Sequence, residues 1–202
     1  MRSSDKEISL MSRGNLIVVS APSGAGKTTI VKALLAKYPS MLFSVSATTR
    51  PKRQTEVEGR DYFFLQRQDF DRRIAAGELV EWEEIYGNLY GTLKAEVEKA
   101  LTTGRTMLFD IDVKGGLSIK GMYPDDSVIV FIKPPSIEVL RDRLLNRKTE
   151  DEATFKRRMD RVAMELGMAS QFDYQVVNDN LEYAIAEVDK LVVQHTSQEQ
   201  RV

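Results

Sequence analysis

The feature that most constrains the fold is a short loop of small residues between two apolar segments. Residues 16–19 are rich in β-branched side chains, which is typical of a strand buried on both faces. The loop occupies residues 24–28, and residues 30–35 then carry apolar side chains at helical spacing. At such a junction the backbone N–H groups can surround a phosphate chain, and the helix dipole adds positive charge. The sequence therefore predicts a phosphate-binding loop.

Two side chains of this loop match the chemistry of a nucleoside triphosphate. Lys27 can reach the β- and γ-phosphates, and the Thr28 hydroxyl can bind Mg²⁺. The strict loop pattern has glycine at the position of Ala21, but the flanking strand and helix support the prediction despite this mismatch. The alternative is a glycine-rich turn that binds no nucleotide.

The remainder of the chain alternates strand-like and helix-like segments. Residues 107–111 and 128–132 have the same continuous apolar character, and residues 174–177 indicate a further strand. Ser136 and Asn180 are placed to cap the helices that follow them. This order predicts an α/β fold: a P-loop parallel sheet with helices on both faces, and ligands at the carboxyl ends of the strands.

Two regions interrupt the alternation. Residues 46–92 contain a polar loop, an aromatic run and strand-like segments, which predicts a small strand-rich insertion. Residues 147–161 are dense in charge and indicate either a solvated helix face or a helical lid. We therefore expect a single domain over residues 1–202, with a core of residues 14–45, 93–142 and 162–202, the insertion at 46–92 and the lid at 143–161.

Charge and composition exclude several classes of protein. Lys plus Arg number 29 and Asp plus Glu 30, so no overall basic field attracts nucleic acid or an anionic membrane. The absence of Cys and the single His exclude a disulfide framework and a zinc-ligand set. A chain without Cys fits a reducing compartment, so we expect a cytoplasmic protein. Residues 1–13 lack the apolar stretch of a secretory signal, so we expect a loose tail there. The sequence does not distinguish a monomer from a homo-oligomer.

Asp110 and Asp112 follow an apolar run, at the sheet edge where the phosphate loop is expected. Carboxylates there can hold the water ligands of Mg²⁺ beside a triphosphate, and the alternative is a pair of solvated acids at a strand end. The Asn-Lys-x-Asp motif with which GTPases read their base does not occur in the sequence. The phosphate loop therefore points to a class other than GTPases.

The insertion carries an ordered string of polar and aromatic residues. The string is Ser46, Thr48, Thr49, Arg50, Arg53, Glu56, Gly59, Asp61 and Tyr62, then Glu81 and Trp82, then Gly87, Asn88, Tyr90, Gly91 and Thr92. Farther along follow Asp110 to Asp112, the pair Pro134 and Pro135, and Arg143 with Arg147. In order and spacing these residues resemble the guanylate kinase family over about residues 14–185. The resemblance implies a nucleoside monophosphate kinase that transfers the γ-phosphoryl group of ATP to GMP or dGMP, with Mg²⁺, in purine nucleotide metabolism.

The resemblance also implies roles for residues of the ATP side. The implied ATP-binding residues are Ala21, Pro22, Ser23, Gly24, Ala25, Gly26, Lys27, Thr28, Thr29 and Asn178. Asn178 would lie near the adenine, or else serve only as a turn residue before the last helix. The implied catalytic residues are Lys27, Arg50, Arg143, Arg147 and Arg158. Lys148 stands where the family commonly has glycine, which changes the loop but removes no donor.

On the acceptor side the resemblance implies residues that bind the phosphate and residues that recognise the base. The implied GMP-binding residues are Ser46, Arg50, Arg53, Glu56, Tyr62, Glu81, Tyr90, Thr92 and Asp110, and the metal-binding residues are Thr28 and Asp112, partly through water. Arginines with neutral hydroxyl donors suit a phosphate monoester, although Tyr62 and Tyr90 could also be core aromatics. Glu81 would accept hydrogen bonds from guanine N1–H and N2–H₂, and Thr92 would donate to O6.

Two other functions fit parts of the pattern. A binding module of the same fold that has lost catalysis would recognise a protein ligand, but Lys27, Thr28 and Asp112 are all retained. A kinase for a different acceptor would share the phosphate loop, but an acceptor without a base needs neither Glu81 nor Thr92. The sequence therefore favours a guanine nucleotide as the acceptor.

Overall fold

The computed structural model of the protein describes residues 13–85, 87–145 and 152–196. The strands are β1 (Leu16–Ser20), β2 (Leu42–Phe43), β3 (Ala47–Thr48), β4 (Phe63–Phe64), β5 (Leu79–Ile85), β6 (Asn88–Leu93), β7 (Met107–Asp110), β8 (Ser127–Lys133) and β9 (Tyr174–Val177). The helices are α1 (Lys27–Lys37), α2 (Arg67–Ala75), α3 (Lys94–Thr102), α4 (Val113–Met122), α5 (Ile137–Leu145), α6 (Glu152–Gly167) and α7 (Leu181–Thr196), with a 3-10 turn at Ala169–Gln171.

The central sheet is parallel and has the strand order β2-β7-β1-β8-β9. Strand β1 pairs with β7 on one side and with β8 on the other. After β1 the chain continues into β2 and β7, which lie on one side of β1, and then into β8 and β9, which lie on the other side. The strand order therefore reverses next to β1. Ligands bind at such a reversal in open parallel sheets, and the predicted phosphate loop begins there.

Both faces of the central sheet are covered. Ile17 and Val19 of β1 join an apolar cluster with α1 and α7, whereas Leu16 and Val18 join a second cluster with α3 and α4. Each of these side chains is almost fully buried, and burial of one such side chain contributes about 1.5–3 kcal/mol. The predicted parallel sheet with helices on both faces is confirmed.

A second sheet lies between residues 47 and 93, and we call it the acceptor sheet. Its strand order is β4-β3-β6-β5, with β3 and β4 parallel and the other pairs antiparallel. Phe70 of α2 packs under it with Ala47, Leu79 and Leu89. Strand β5 contacts α4, which brings this sheet against the central part of the molecule. The division of the chain into core, insertion and lid stays a prediction.

The strands predicted from apolar runs are present in the central sheet, with shifts of at most one residue at their ends. The Val139 N–H donates to Ser136 Oγ at 3.2 Å and the Tyr183 N–H to Asn180 Oδ1 at 3.1 Å, so both predicted helix caps are confirmed. Strand β2 was not predicted, because its two residues are too few to form an apolar or alternating pattern.

Two predicted segments lie partly or wholly outside the described residues. They are the N-terminal tail, described only at residue 13, and the first part of the charged run, which is described from residue 152 onward. Helix α6 continues to Gly167, beyond the predicted lid boundary at residue 161. Among the helices of the described segments, none is long and apolar enough to cross a bilayer.

Candidate active site

The phosphate loop is shaped by its glycines and by one buried amide. Gly24 and Gly26 have φ angles of 91° and 94°, a left-handed conformation that favours glycine. Asn178 Nδ2 donates to the Ala25 carbonyl at 2.7 Å, and a Cβ on Gly26 would lie only 2.3 Å from that nitrogen. Helix α1 begins directly after Gly26, so its unpaired N–H groups belong to the loop. The protein itself therefore fixes the loop conformation.

Lys27 ties the loop to the end of the neighbouring strand. Its ammonium group lies 2.7 Å from Asp110 Oδ1 and donates to the Ile111 carbonyl at 2.6 Å. An ammonium group has three N–H donors on a flexible side chain, so the same charged group can also turn toward a phosphate. The structure thus places the predicted phosphate-binding cation beside the predicted acidic pair.

A cleft of about 450 Å³ opens over the loop. Residues predicted for the ATP side and for the metal line it, namely Ala21, Pro22, Ser23, Gly24, Gly26, Lys27, Thr28, Thr29, Asp112 and Arg158, and so does Asp110, which was predicted to bind GMP. Ala25 and Asn178 are instead buried, and their mutual hydrogen bond holds the loop. A contact of Asn178 with adenine stays a prediction.

The donors around this cleft suit Mg²⁺ bound to a nucleotide. Thr28, Asp110 and Asp112 border it, and Asp112 Oδ1 accepts from the Gly115 N–H at 2.7 Å as the N-cap of α4. Within the described residues no group of three or more His, Cys, Asp or Glu forms a cage for a metal ion. Mg²⁺ usually keeps several water ligands and binds one or two carboxylates together with substrate phosphates. The residues present therefore fit this cation.

The residues predicted to grip the acceptor phosphate form a connected group. Arg50 makes a 2.6 Å ion pair with Glu56 Oε1, and the Arg53 N–H donates to Glu56 Oε2 at 2.8 Å. The hydrogen bond from Arg50 lowers the pKa of Glu56, which stays ionised. The Arg50 guanidinium lies 5.3 Å from the centre of the Tyr62 ring, and that ring lies 6.1 Å from the ring of Tyr90. Glu56 therefore orients this loop through both arginines.

Ser46 and Arg53 also belong to this region. The Ser46 carbonyl accepts from the Phe63 N–H at 2.9 Å, which joins the start of the insertion to β4. Arg53 is exposed, in contrast to Arg50. The position of Arg53 therefore leaves its guanidinium accessible from solvent.

Glu81 and Thr92 face each other across the β5–β6 pair. The Thr92 hydroxyl donates to Glu81 Oε1 at 2.7 Å, and Thr92 itself is buried. Burial raises the pKa of Glu81 to about 7, and the nearby Asp112 and Glu83 carboxylates contribute in the same direction. Glu81 lines a second cleft of about 420 Å³, which Asp112 also borders. The structure thus brings the predicted base reader close to the phosphate cleft.

The predicted catalytic arginines lie in different surroundings. Arg158 lines the phosphate cleft, whereas an Arg143 N–H contacts the Asn178 carbonyl at 3.5 Å. Arg147 and its neighbour Lys148 lie outside the described residues. The roles of these arginines stay predictions.

Sequence reasoning missed three charged residues at the junction of the two clefts: Glu83, Arg161 and Glu165. Arg161 Nη2 lies 2.8 Å from Asp112 and 3.1 Å from Glu83, and its Nε lies 2.9 Å from Glu165. Burial raises the pKa of Glu83, as does the Asp112 carboxylate, and burial also raises that of Glu165. The i,i+4 spacing of Arg161 and Glu165 was the one signal in the sequence, and it resembles an ordinary helix-surface pair.

Comparisons with known proteins agree with this architecture. The guanylate kinase family model matches residues 13–195. The guanylate kinase of Chlorobium luteolum is 49% identical over 175 residues, 87% of this chain and 89% of that protein, and the one of Thermotoga maritima is 45% identical over 180 residues, 89% and 86%. A crystal structure of guanylate kinase from Anaplasma phagocytophilum matches with a TM-score of 0.70 and 29% identity, over 92% of this chain and 87% of that one. By its fold, its sequence and its family match, the chain belongs to the guanylate kinase family.

Proposed function

We propose that this chain catalyses the Mg²⁺-dependent, reversible transfer of the γ-phosphoryl group of ATP to GMP and dGMP, as a cytoplasmic step of purine nucleotide metabolism. Transfer from ATP to GMP is the reaction of the guanylate kinase family. The observation that carries the proposal is that Asp112 borders both clefts, the one over the phosphate loop and the one beside Glu81. A donor and an acceptor nucleotide can therefore meet at this residue.

On the donor side the loop would hold the triphosphate by its backbone. The N–H groups at the start of α1 and the Lys27 ammonium would bind the β- and γ-phosphates. Thr28, Asp110 and Asp112 would hold Mg²⁺, directly or through water, and the ion would neutralise charge on the triphosphate. Since Asn178 already fixes the loop, binding would require little change in its backbone.

On the acceptor side Arg50 would bind the phosphate of GMP together with Arg53 and the hydroxyls of Ser46, Tyr62 and Tyr90. A guanidinium has five donors in a planar fork, so Arg50 can keep Glu56 on one edge while the other edge binds phosphate. Glu56 would then act by orienting Arg50. The Glu56 carboxylate can therefore lie in a phosphate-binding site, because it contacts Arg50 and not the phosphate.

Guanine would be selected by Glu81 and Thr92. Ionised Glu81 accepts from guanine N1–H and N2–H₂ together, whereas adenine presents an acceptor at N1 and would leave the partly buried charge unpaired. The Thr92 hydroxyl, which now donates to Glu81 at 2.7 Å, would turn to donate to guanine O6. The elevated pKa of Glu81 means that base binding also requires loss of a proton near neutral pH.

The chemistry itself needs little help from a general base. The second pKa of a phosphate monoester is about 6, so the acceptor oxygen is already anionic near neutral pH. Catalysis would come from in-line alignment and from positive charge around the transferred group, supplied by Lys27, Arg143, Arg147 and Arg158. We further propose closure of the insertion and lid about hinges near Ser46 and Thr92, which would keep water from the phosphoryl group.

An acceptor panel tests the proposal. ADP release is measured with GMP, dGMP, AMP and UMP in parallel, and we expect GMP to lead and dGMP to follow. Glu81→Gln should lower the ratio of kcat/KM for GMP over AMP by about a hundredfold, since an amide cannot accept from both guanine N–H groups. Glu84→Gln, an exposed position on the same strand, is the matched control and should keep the ratio. Equal rates with all four acceptors would overturn the proposal.

A further inference from the structure

One guanidinium joins three separate parts of the molecule. Arg161 lies on α6, Glu83 on β5 of the acceptor sheet, Asp112 at the start of α4, and Glu165 one turn farther along α6. Arg161 Nη2 contacts both Asp112 and Glu83, at 2.8 and 3.1 Å, while Nε contacts Glu165 at 2.9 Å. We call this set of four residues the Arg161 bridge.

The bridge lies at the junction between the two clefts. Arg161 and Glu165 line the phosphate cleft, Glu83 lines the cleft beside Glu81, and Asp112 lines both. The acceptor sheet meets the central part of the molecule at this junction, through the contact between β5 and α4. The bridge is thus placed where a change in the distance between the two substrate sites would occur.

The charges explain why Arg161 is needed at this position. Glu165 is only 4% exposed, and the side chains of Asp112, Glu83 and Arg161 are each about one third exposed or less. Without the guanidinium, the carboxylates of β5 and α4 would repel each other across a partly buried space. The shared cation therefore turns a repulsive contact between the acceptor sheet and the central part into an attractive one.

We propose that Arg161 is a positioning residue that holds the acceptor sheet close to the phosphate loop before substrates bind, so that closure starts from a narrow range of distances. It acts through Glu83, which fixes β5 and so Glu81, and through Asp112, whose Oδ1 is already used to cap α4. A site ordered in advance binds its ligand with less loss of entropy, so the bridge lowers the KM for the acceptor more than it raises kcat. The expected effect on the KM for GMP rests on the proposed function, whereas the ion pairs of the bridge do not.

Distances in solution test the bridge directly. The sequence has no Cys, so Gln68→Cys on α2 and Lys190→Cys on α7 give a pair of exposed positions for spin labels, one beside each sheet. Pulsed electron paramagnetic resonance then reports the distance between the acceptor sheet and the central part. We expect Arg161→Gln in this background to broaden the distribution and move it to longer distances, Arg161→Lys to lie between, and Lys156→Gln on the same helix to match the parent.

Kinetics supply the second readout. Arg161→Gln should raise the KM for GMP by about tenfold and change kcat by less than about threefold. Glu83→Gln removes the ion pair on the β5 side and leaves α6 unaltered. This variant therefore tests the bridge even if Arg161→Gln fails to fold. We expect the same changes in distance and in the KM for GMP as for Arg161→Gln, but smaller. Parent-like distances in both variants would overturn the bridge, even if GMP is phosphorylated. Altered distances in an enzyme that does not phosphorylate GMP would instead overturn the proposed function and leave the bridge standing.

Discussion

The phosphate loop and the acceptor sheet are built by different forces. The loop is shaped by backbone conformation at Gly24 and Gly26 and by one buried hydrogen bond from Asn178. The acceptor side depends on ion pairs between side chains, such as the 2.6 Å contact between Arg50 and Glu56. Backbone geometry changes little with pH or salt, whereas partly exposed ion pairs respond to both. Lys27 and Asp110 also form an ion pair at 2.7 Å, but the backbone of the loop is shaped by its glycines. The loop conformation should therefore be the constant part of the enzyme and the acceptor site the adjustable one.

The largest effect is expected from Lys27→Met, which removes the cation of the donor site. Because every acceptor uses the same donor site, kcat should fall by about a thousandfold with GMP and with dGMP alike. Steady-state assays of ADP release measure this, with circular dichroism as a check of folding. If Lys27→Met lost activity with only one of the two acceptors, Lys27 would not belong to a donor site that GMP and dGMP share.

Gly26→Ala tests whether backbone geometry shapes the loop. The added methyl group meets both a positive φ and the Asn178 amide, so the free energy of unfolding should fall by about 2–3 kcal/mol, as measured by denaturant titration. Gly77→Ala is the matched control, since Gly77 has a φ of 66° but no atom within 4 Å of the added Cβ. Its cost should be about 1 kcal/mol. Equal losses in both variants would mean that the contact with Asn178 does not constrain the loop.

The acceptor site should respond to pH through Glu81. Its pKa of about 7 lies well above the usual 4.5, and under the proposed function GMP binds the ionised form. Between about pH 8 and about pH 6 the ionised fraction falls roughly tenfold, so the KM for GMP should rise by about tenfold. Titration of the GMP phosphate also affects KM over this range, and Glu81→Gln isolates that contribution. If the variant and the parent show the same pH dependence, Glu81 does not bind the base.

The smallest effect concerns stability. A carboxyl group whose pKa rises on folding contributes stability that is fully present below its unfolded pKa near 4.5 and is lost as the pH rises through about 7. The rise of the pKa from 4.5 to about 7 corresponds to at most about 3 kcal/mol. Because glutamine still places a polar amide in the same buried position, Glu81→Gln should raise the free energy of unfolding at pH 8 by about 1 kcal/mol, with no gain at pH 4. Thermal unfolding at the two pH values checks this. A loss of stability at pH 8 would contradict the burial of an ionised Glu81.

The same contrast explains what the sequence could predict. The loop, the strand before it and the helix after it are contiguous, so apolar runs and glycine spacing were sufficient to predict them. A role of Glu81 and Thr92 at one base was implied only by the family resemblance, and the structure places the two residues at paired positions on β5 and β6. No local pattern could reveal the Arg161 bridge, because Glu83 and Asp112 lie 78 and 49 residues from Arg161 in the chain.

The structure also shows which partners single predicted residues have. Glu56 was predicted to bind GMP, which stays a prediction, and its two oxygens contact Arg50 and the Arg53 backbone N–H. Asp110 was predicted for the acceptor as well, and it pairs with Lys27 of the donor loop at 2.7 Å. Residue type and spacing identify a charged site, but the three-dimensional fold decides which opposite charge each group meets.

The most direct test of the account is a crystal structure with GMP, Mg²⁺ and a non-hydrolysable ATP analogue bound together. We expect the triphosphate within the loop around Lys27, the GMP phosphate on Arg50 and Arg53, guanine against Glu81, and the two phosphate ends facing each other beside Asp112. A complex in which guanine lies away from Glu81, or in which the two nucleotides occupy clefts that do not meet, would contradict it.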